Sequence, residues 1–188
     1  EGEAYQDFQK RLKALSNLGV LLAISSKNEM KIALEPFDKN KNMVLRKKDF
    51  ATWKINWNDK AKNIIQIIKE LNLTSDNVMF IDDNINERQR VKKTIRGIQV
   101  PDWPSDPCEY CSSLDKFNNF ETYKDITKED KNRVKYYQDE TTRKKSKKKF
   151  LSEEKWLSGL NTKVIFKKVN KESEDRVIQL INRTNQMN

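Results

Sequence analysis

Two short, unbroken apolar runs constrain this chain most. Val20-Leu21-Leu22-Ala23-Ile24 and Val78-Met79-Phe80-Ile81 lack the in-out alternation of a half-solvated strand and are bounded by polar residues. That is the pattern of parallel strands covered on both faces. Such strands need helices above and below them. Apolar residues recur at Tyr5, Phe8, Leu12, Leu15 and Leu18, and again at Ile64, Ile65, Ile67, Ile68 and Leu71. This spacing predicts helices over 4–18 and 59–71, the first closed by Gly19 in a left-handed cap. A short helix is expected to follow Ser25-Ser26-Lys27-Asn28 and run through Leu34, and another to cover 86–95. Met43-Val44-Leu45 and Ile98-Gln99-Val100 read as short strands. Lys47–Trp57 reads as irregular, with Phe50, Trp53 and Trp57 plugging a sheet edge. The alternation predicts an α/β fold with a parallel sheet, right-handed crossovers and helices on both faces.

Composition changes after Pro101, where Pro104 and Pro107 mark a loop and residues 113–158 become helical and highly charged. Thr162–Val169 reads as a strand and Glu172–Asn182 as a helix, a pair too small to bury a core alone. The expected organisation is an α/β domain over 1–106, a charged helical linker over 107–160 and the start of a second domain over 161–188.

The chain has no histidine among its 188 residues, which excludes nucleophilic triads whose base is an imidazole. Cys108 and Cys111 are its two cysteines. Two thiols make at most half a zinc site, and they follow a Pro-rich loop rather than opening a long helix that would stabilise a thiolate. The net charge of +10 favours anionic partners, and a solvated lysine-rich surface produces the same number. Lys144–Lys149 reads as an exposed helix or linker. Its basic residues are not interleaved with stacking aromatics, so nucleic acid is not expected as a partner. No apolar run is long enough to cross a bilayer, and the visible start carries no signal peptide. A soluble, cytoplasmic protein is the expectation, without membrane partners. Glu1-Gly2-Glu3-Ala4 already reads as the approach to a helix, with no initiator Met, so polypeptide is expected ahead of it.

In parallel α/β folds ligands bind beyond the carboxyl ends of the strands. Ser25-Ser26-Lys27-Asn28 and Asp82-Asp83-Asn84, which end the two strongest strands, therefore share one expected crevice. Adjacent carboxylates after a buried strand suit Mg2+, a hard cation that accepts one or two carboxylates and keeps several waters. A solvent-facing loop would carry the same pair. Ser26, with Lys27, Asn28 and the backbone amides beside them, suits phosphate oxygens, and a helix N-cap suits them equally. Lys60 opens a helix, where a cation gains nothing from the macrodipole. It makes better sense pointing into the crevice as a point charge for phosphate.

A Ser ending one strand, a Lys at a later helix start and paired Asp ending another strand resemble motifs II, III and IV of haloacid dehalogenase (HAD)-type phosphatases. Leu22–Asn28, Met43–Arg46, Trp53–Lys60, Leu71–Leu73, Phe80–Asn84 and Glu87-Arg88 look like the FkbH-like branch, subfamily IIIC. So do Thr127–Asp130, Tyr136-Tyr137 and Gln179–Asn188, so the resemblance covers essentially the whole chain. It implies a HAD-like, Rossmann-type three-layer sheet, followed by a helical linker and the start of an acetyltransferase-like α/β domain. It further implies a Mg2+-dependent phosphatase in which Ser26 and Lys60 are catalytic, Asp82 and Asp83 bind the metal, and Ser26, Lys27, Asn28 and Lys60 hold phosphate. The family's activity is to take a glyceryl unit from 1,3-bisphosphoglycerate, remove phosphate and load the three-carbon unit on an acyl carrier protein for polyketide biosynthesis. Two alternatives are a plain phosphomonoesterase of sugar or surface-polysaccharide metabolism and a non-catalytic module that docks carrier proteins. The family's Asp-x-Asp-x-Thr nucleophile motif occurs nowhere in the chain, so the chain alone is expected to be inactive. Ser25 also stands where many relatives carry a Cys.

Overall fold

The computed structural model describes residues 2–117, 132–147, 153–159 and 162–182. Helix α1, Gly2–Asn17, ends as its sequence predicts. Gly19 adopts φ +94, and the amides of Gly19 and Val20 return to the carbonyls of Ser16 and Leu15 at 3.0 and 3.1 Å. Those two bonds satisfy the last turn of the helix and aim the chain into strand β1, Leu22–Ser26. Helix α2, Met30–Lys39, follows and continues past Leu34 through Pro36.

Strand β2 lies at Phe50–Ile55 and pairs with β1 in parallel, from Leu22↔Phe50 to Ser26↔Ile55, with an irregularity after Leu22. This corrects two expectations. Met43-Val44-Leu45 is not a strand, because Gln9 of α1 reaches across and its Oε1 accepts from the amides of Val44 and Leu45 at 3.0 and 3.1 Å. A side chain thus takes the hydrogen bonds that a neighbouring strand would have taken. Lys47–Trp57 is irregular only at its ends. Its middle is rich in the aromatic and β-branched residues that fit a pleated, packed surface, and the strand is buried at Phe50, Ala51, Thr52 and Ile55.

Helix α3, Lys60–Glu70, and helix α4, Ile85–Thr94, complete the alternation. The segments around Met79 and Gln99 form a single parallel bridge. The Phe80 amide donates to Gln99 O at 2.8 Å, and the Gln99 amide to Val78 O at 3.0 Å. The expected strands here shrink to one bridged pair, but the parallel sense is as expected. A parallel pair needs a crossover, and α2 and α4 supply the two crossovers.

Three apolar clusters hold these elements. Ala61, Ile64, Phe80, Val91, Ile95 and Ile98 join α3, α4 and the bridged pair. Ala51, Ile67 and Leu71 join α3 to β2, with Leu21, Leu73 and Tyr137 packed against them. Leu15, Trp103, Tyr110 and Leu114 join α1 to helix α5, Tyr110–Asp115.

The chain divides into two compact units, Glu1–Lys145 and Ser146–Asn188. In the first, the helix that starts at Arg133 lies against β2. There the Gln138 side-chain amide donates to Phe50 O at 2.6 Å, and the Arg133 guanidinium donates to Gly19 O at 3.2 Å. In the second unit, helix Lys171–Asn182 forms as expected. The strand expected at Thr162–Val169 does not form: residues 162–170 have no regular structure and are exposed, Phe166 by 93%. Without a neighbouring strand among the described residues, this stretch has no ladder to join. Thr127–Asp130, Lys148-Lys149 and the end of Gln179–Asn188 lie outside the described residues. Among the described residues no helix is long and apolar enough to cross a membrane.

Candidate phosphate and metal site

The parallel strands deliver their carboxyl ends to one place. Asn56, just past β2, donates its amide to Ser26 O at the end of β1, at 3.0 Å. The Asn56 side-chain oxygen accepts from the Asn58 amide at 2.9 Å and from the Asn63 side-chain amide at 2.9 Å. Asn63 is fully buried, and its own side-chain oxygen has no partner. This Asn56–Asn63 link shapes the turn that sets up α3. Asn63 could have been found by sequence: it stands four residues before Ile67 and eight before Leu71, a polar residue interrupting an apolar stripe.

Asp59 caps α3, its Oδ1 accepting from the Lys62 amide at 3.2 Å and its Oδ2 from Arg90 Nε at 3.0 Å. Burial pulls the Asp59 carboxyl upward, but the Lys62 and Ala61 amides and the Arg90 guanidinium together outweigh it and hold the carboxyl below the usual aspartate range. A depressed folded-state value stabilises the protein above the unfolded value and loses that stability as pH falls through the folded one. Asp59→Ala is therefore expected to cost about 1 kcal/mol at pH 7. Urea titrations of both proteins should show that difference beginning to shrink as pH falls below the unfolded aspartate value of about 3.9, and vanishing once the folded carboxyl, held lower, protonates too. A difference that stayed constant down to pH 2 would mean that the ionised carboxylate does not hold the cap.

One residue beyond this cap, Lys60 extends its ammonium to Asp82 Oδ2 at 2.5 Å, with side chains only 15% and 6% exposed. The other carboxylate oxygen of Asp82 accepts from the Asn84 amide at 3.0 Å. Both oxygens of Asp82 are thus committed. Asp83 differs: it is exposed, and among the described residues its carboxylate makes no hydrogen bond or ion pair. Arg88 fixes the backbone of both, donating to Asp82 O at 2.7 Å and Asp83 O at 2.9 Å. Lys27 pairs with Glu87 of α4 at 2.5 Å, and Asn28 Oδ1 accepts from the Glu29 amide at 2.7 Å.

Of the residues singled out by sequence, the structure therefore joins Lys60 directly to Asp82. It also joins the Ser26-Lys27-Asn28 loop to the helix that follows Asp82-Asp83. The Ser26 hydroxyl makes no hydrogen bond among the described residues, while the Ser25 hydroxyl points inward, buried and without a partner. Glu87 and Arg88 entered the sequence reading only as part of a resemblance. Glu87 meets Lys27 across 60 residues, a reach for which residue spacing carries no signal, whereas Arg88 bonds carbonyls only five and six residues back.

Among the described residues no group of three or more carboxylate, thiol or imidazole side chains could enclose a metal. Asp83 offers one open carboxylate, which would suit a cation that keeps most of its waters and takes few protein ligands. Cys108 and Cys111 are not joined in a disulfide. Burial, with Asp7 and Asp115 nearby, pushes the Cys111 thiol up, the opposite of what a reactive thiolate needs.

No protein-family model matches the chain, and no curated protein matches it. Among solved structures it is similar to the N-terminal part of the protein BF1531 from Bacteroides fragilis, which contains a phosphatase domain and was crystallised complexed with Mg. The two are 42% identical with a TM-score of 0.62, over 63% of this chain and 32% of that one. The chain thus spans about a third of the solved structure it matches.

Proposed function

We propose that this chain carries the phosphate- and Mg2+-handling residues of a HAD-type phosphatase. What carries this is the buried Lys60–Asp82 pair beside the uncommitted Asp83 carboxylate, in a chain that is 42% identical, over 63% of its length, to a solved structure containing a phosphatase domain and complexed with Mg. Asp83 would hold Mg2+, which would supply charge neutralisation for a phosphate group. Asp82 holds Lys60 in place and would assist Asp83 at the metal through its neighbouring negative charge. Lys60 offers its remaining ammonium protons to the developing negative charge. Ser26 donates its hydroxyl to a phosphate oxygen, with Lys27, Asn28 and the amides ahead of α2 around it. The nucleophile and the acid/base of this mechanism are two aspartates in an Asp-x-Asp-x-Thr motif, absent from the 188 residues. The chain alone therefore binds phosphate without turning it over.

The finer function follows from the FkbH-like resemblance. The substrate is a three-carbon unit derived from 1,3-bisphosphoglycerate, dephosphorylated and loaded on an acyl carrier protein for polyketide biosynthesis in the cytoplasm. Residues 161–188 begin an acetyltransferase-like domain. With Ser25 in place of a thiol, the acyl unit is not tethered at that position.

The test places a segment bearing Asp-x-Asp-x-Thr ahead of Glu1 and follows phosphate release from 1,3-bisphosphoglycerate with and without Mg2+, with mass spectrometry of an added carrier protein. Mg2+-dependent release with a glyceryl adduct is the expected result. Release without an adduct would reduce the protein to a phosphomonoesterase. A folded protein giving neither, yet binding the carrier, would be a docking module.

A further inference from the structure

Glu87 has no part in the chemistry above, yet it ties the two loops of the site together. It lies four residues past Asp83, in the first turn of α4. Its side chain is 16% exposed, and its carboxylate meets the Lys27 ammonium at 2.5 Å, Lys27 being 37% exposed. We propose that Glu87 is a positioning residue that holds Lys27 in reserve, and that an incoming phosphate takes the lysine from it. The proposal rests on the phosphate-binding role proposed above for Lys27.

Lys27 stands directly after Ser26, so a phosphate on the Ser26 hydroxyl is within the sweep of its flexible four-carbon stem. Glu87 engages one of the three ammonium donors. A phosphate engaging the others brings its negative charge against a mostly buried carboxylate. In a partly shielded crevice, repulsion between such charges at contact outweighs the freedom that one lysine side chain regains when its partner goes. Arg88, not Glu87, pins the backbone of Asp82 and Asp83, so neutralising Glu87 leaves the acidic loop in place.

The two members of this ion pair therefore act on phosphate in opposite senses. A tie that served the fold alone would lower stability whichever member was lost, and neither loss would alter phosphate binding. The experiment titrates the 188-residue chain with inorganic phosphate by calorimetry at fixed Mg2+ and low ionic strength, with Tm measured alongside. Glu87→Gln is expected to bind phosphate about fivefold more tightly and Lys27→Met about tenfold more weakly, both with slightly lower Tm. If wild type binds phosphate, Lys60→Met does not, and Glu87→Gln binds no more tightly than wild type, Glu87 has no such role although the site stands. If wild type binds no phosphate, or binds it equally well in Lys60→Met, the site itself is misassigned and the role of Glu87 goes with it.

Discussion

Lys60→Met is expected to cost the fold roughly 3 kcal/mol, most of which should return in the double substitution Lys60→Met/Asp82→Asn. The reason lies in where the pair sits. The Asp82 side chain is 6% exposed and that of Lys60 15%, so losing the ammonium strands a charge that water cannot reach. Breaking one side of a buried pair typically costs about 3–5 kcal/mol, whereas removing both charges together is often close to neutral. The lower figure applies because the Asn84 amide still serves the other Asp82 oxygen. Equilibrium urea unfolding of the two single variants and the double gives the coupling energy. Strictly additive losses would show that the pair is not coupled and that Asp82 does not hold Lys60. Phosphate titration of the same proteins adds the functional half: both proteins lacking Lys60 should lose phosphate affinity, the restabilised double variant included. Stability and phosphate binding would then separate, as they must if Lys60 is there for the ligand rather than for the fold.

Leu71→Ala should destabilise the first unit by about 3 kcal/mol, within the usual 2–5 kcal/mol for emptying a leucine site in a core. Leu71 is 2% exposed and closes α3 against Ala51 of β2 and Ile67, with Leu21, Leu73 and Tyr137 around it. These neighbours come from four parts of the chain, so none can collapse into the gap without moving a strand or a helix. Ile65→Ala, on the edge of its cluster, should cost clearly less. Denaturant midpoints for the two variants decide the matter. A Leu71 loss no greater than that of Ile65 would mean that α3 is not anchored at its carboxyl end.

The ends and faces of the long helices were legible because they depend on neighbours a few residues away. Phe8, Leu12 and Leu15 recur at the helical period, and Gly19 offers the φ that closes α1. The register of β2 was not legible in the same way. Phe50–Ile55 has aromatic and β-branched residues in strand-like order, but its competitor Met43-Val44-Leu45 is an unbroken apolar run that reads equally as a short strand. The difference lies with Gln9, 35 residues away from Val44, which takes the hydrogen bonds that a strand there would need. In the second unit Thr162–Val169 stayed out of regular structure, because a strand depends on a partner that its own residues cannot supply.

The candidate site divides along the same line. Its residue types were present in the sequence: a hydroxyl and a lysine after one strand, a lysine opening a helix and two carboxylates after another strand. The sequence alone determined that the hydroxyl and Lys27 follow one parallel strand, that the two carboxylates follow a second buried apolar run and that Lys60 opens a helix, because hydrophobic runs and helical periodicity are local properties of the chain. Only the tertiary structure decided which groups are committed and which are open. Asp82 and Asp83 are chemically identical neighbours, yet Lys60, 22 residues back, claims one of them and leaves the other facing outward. Lys27 is committed across 60 residues to Glu87. Ion pairs of that reach form between side chains that the fold has already brought within a few ångströms, and the energy of such a pair depends on the burial of both partners, which no residue spacing encodes.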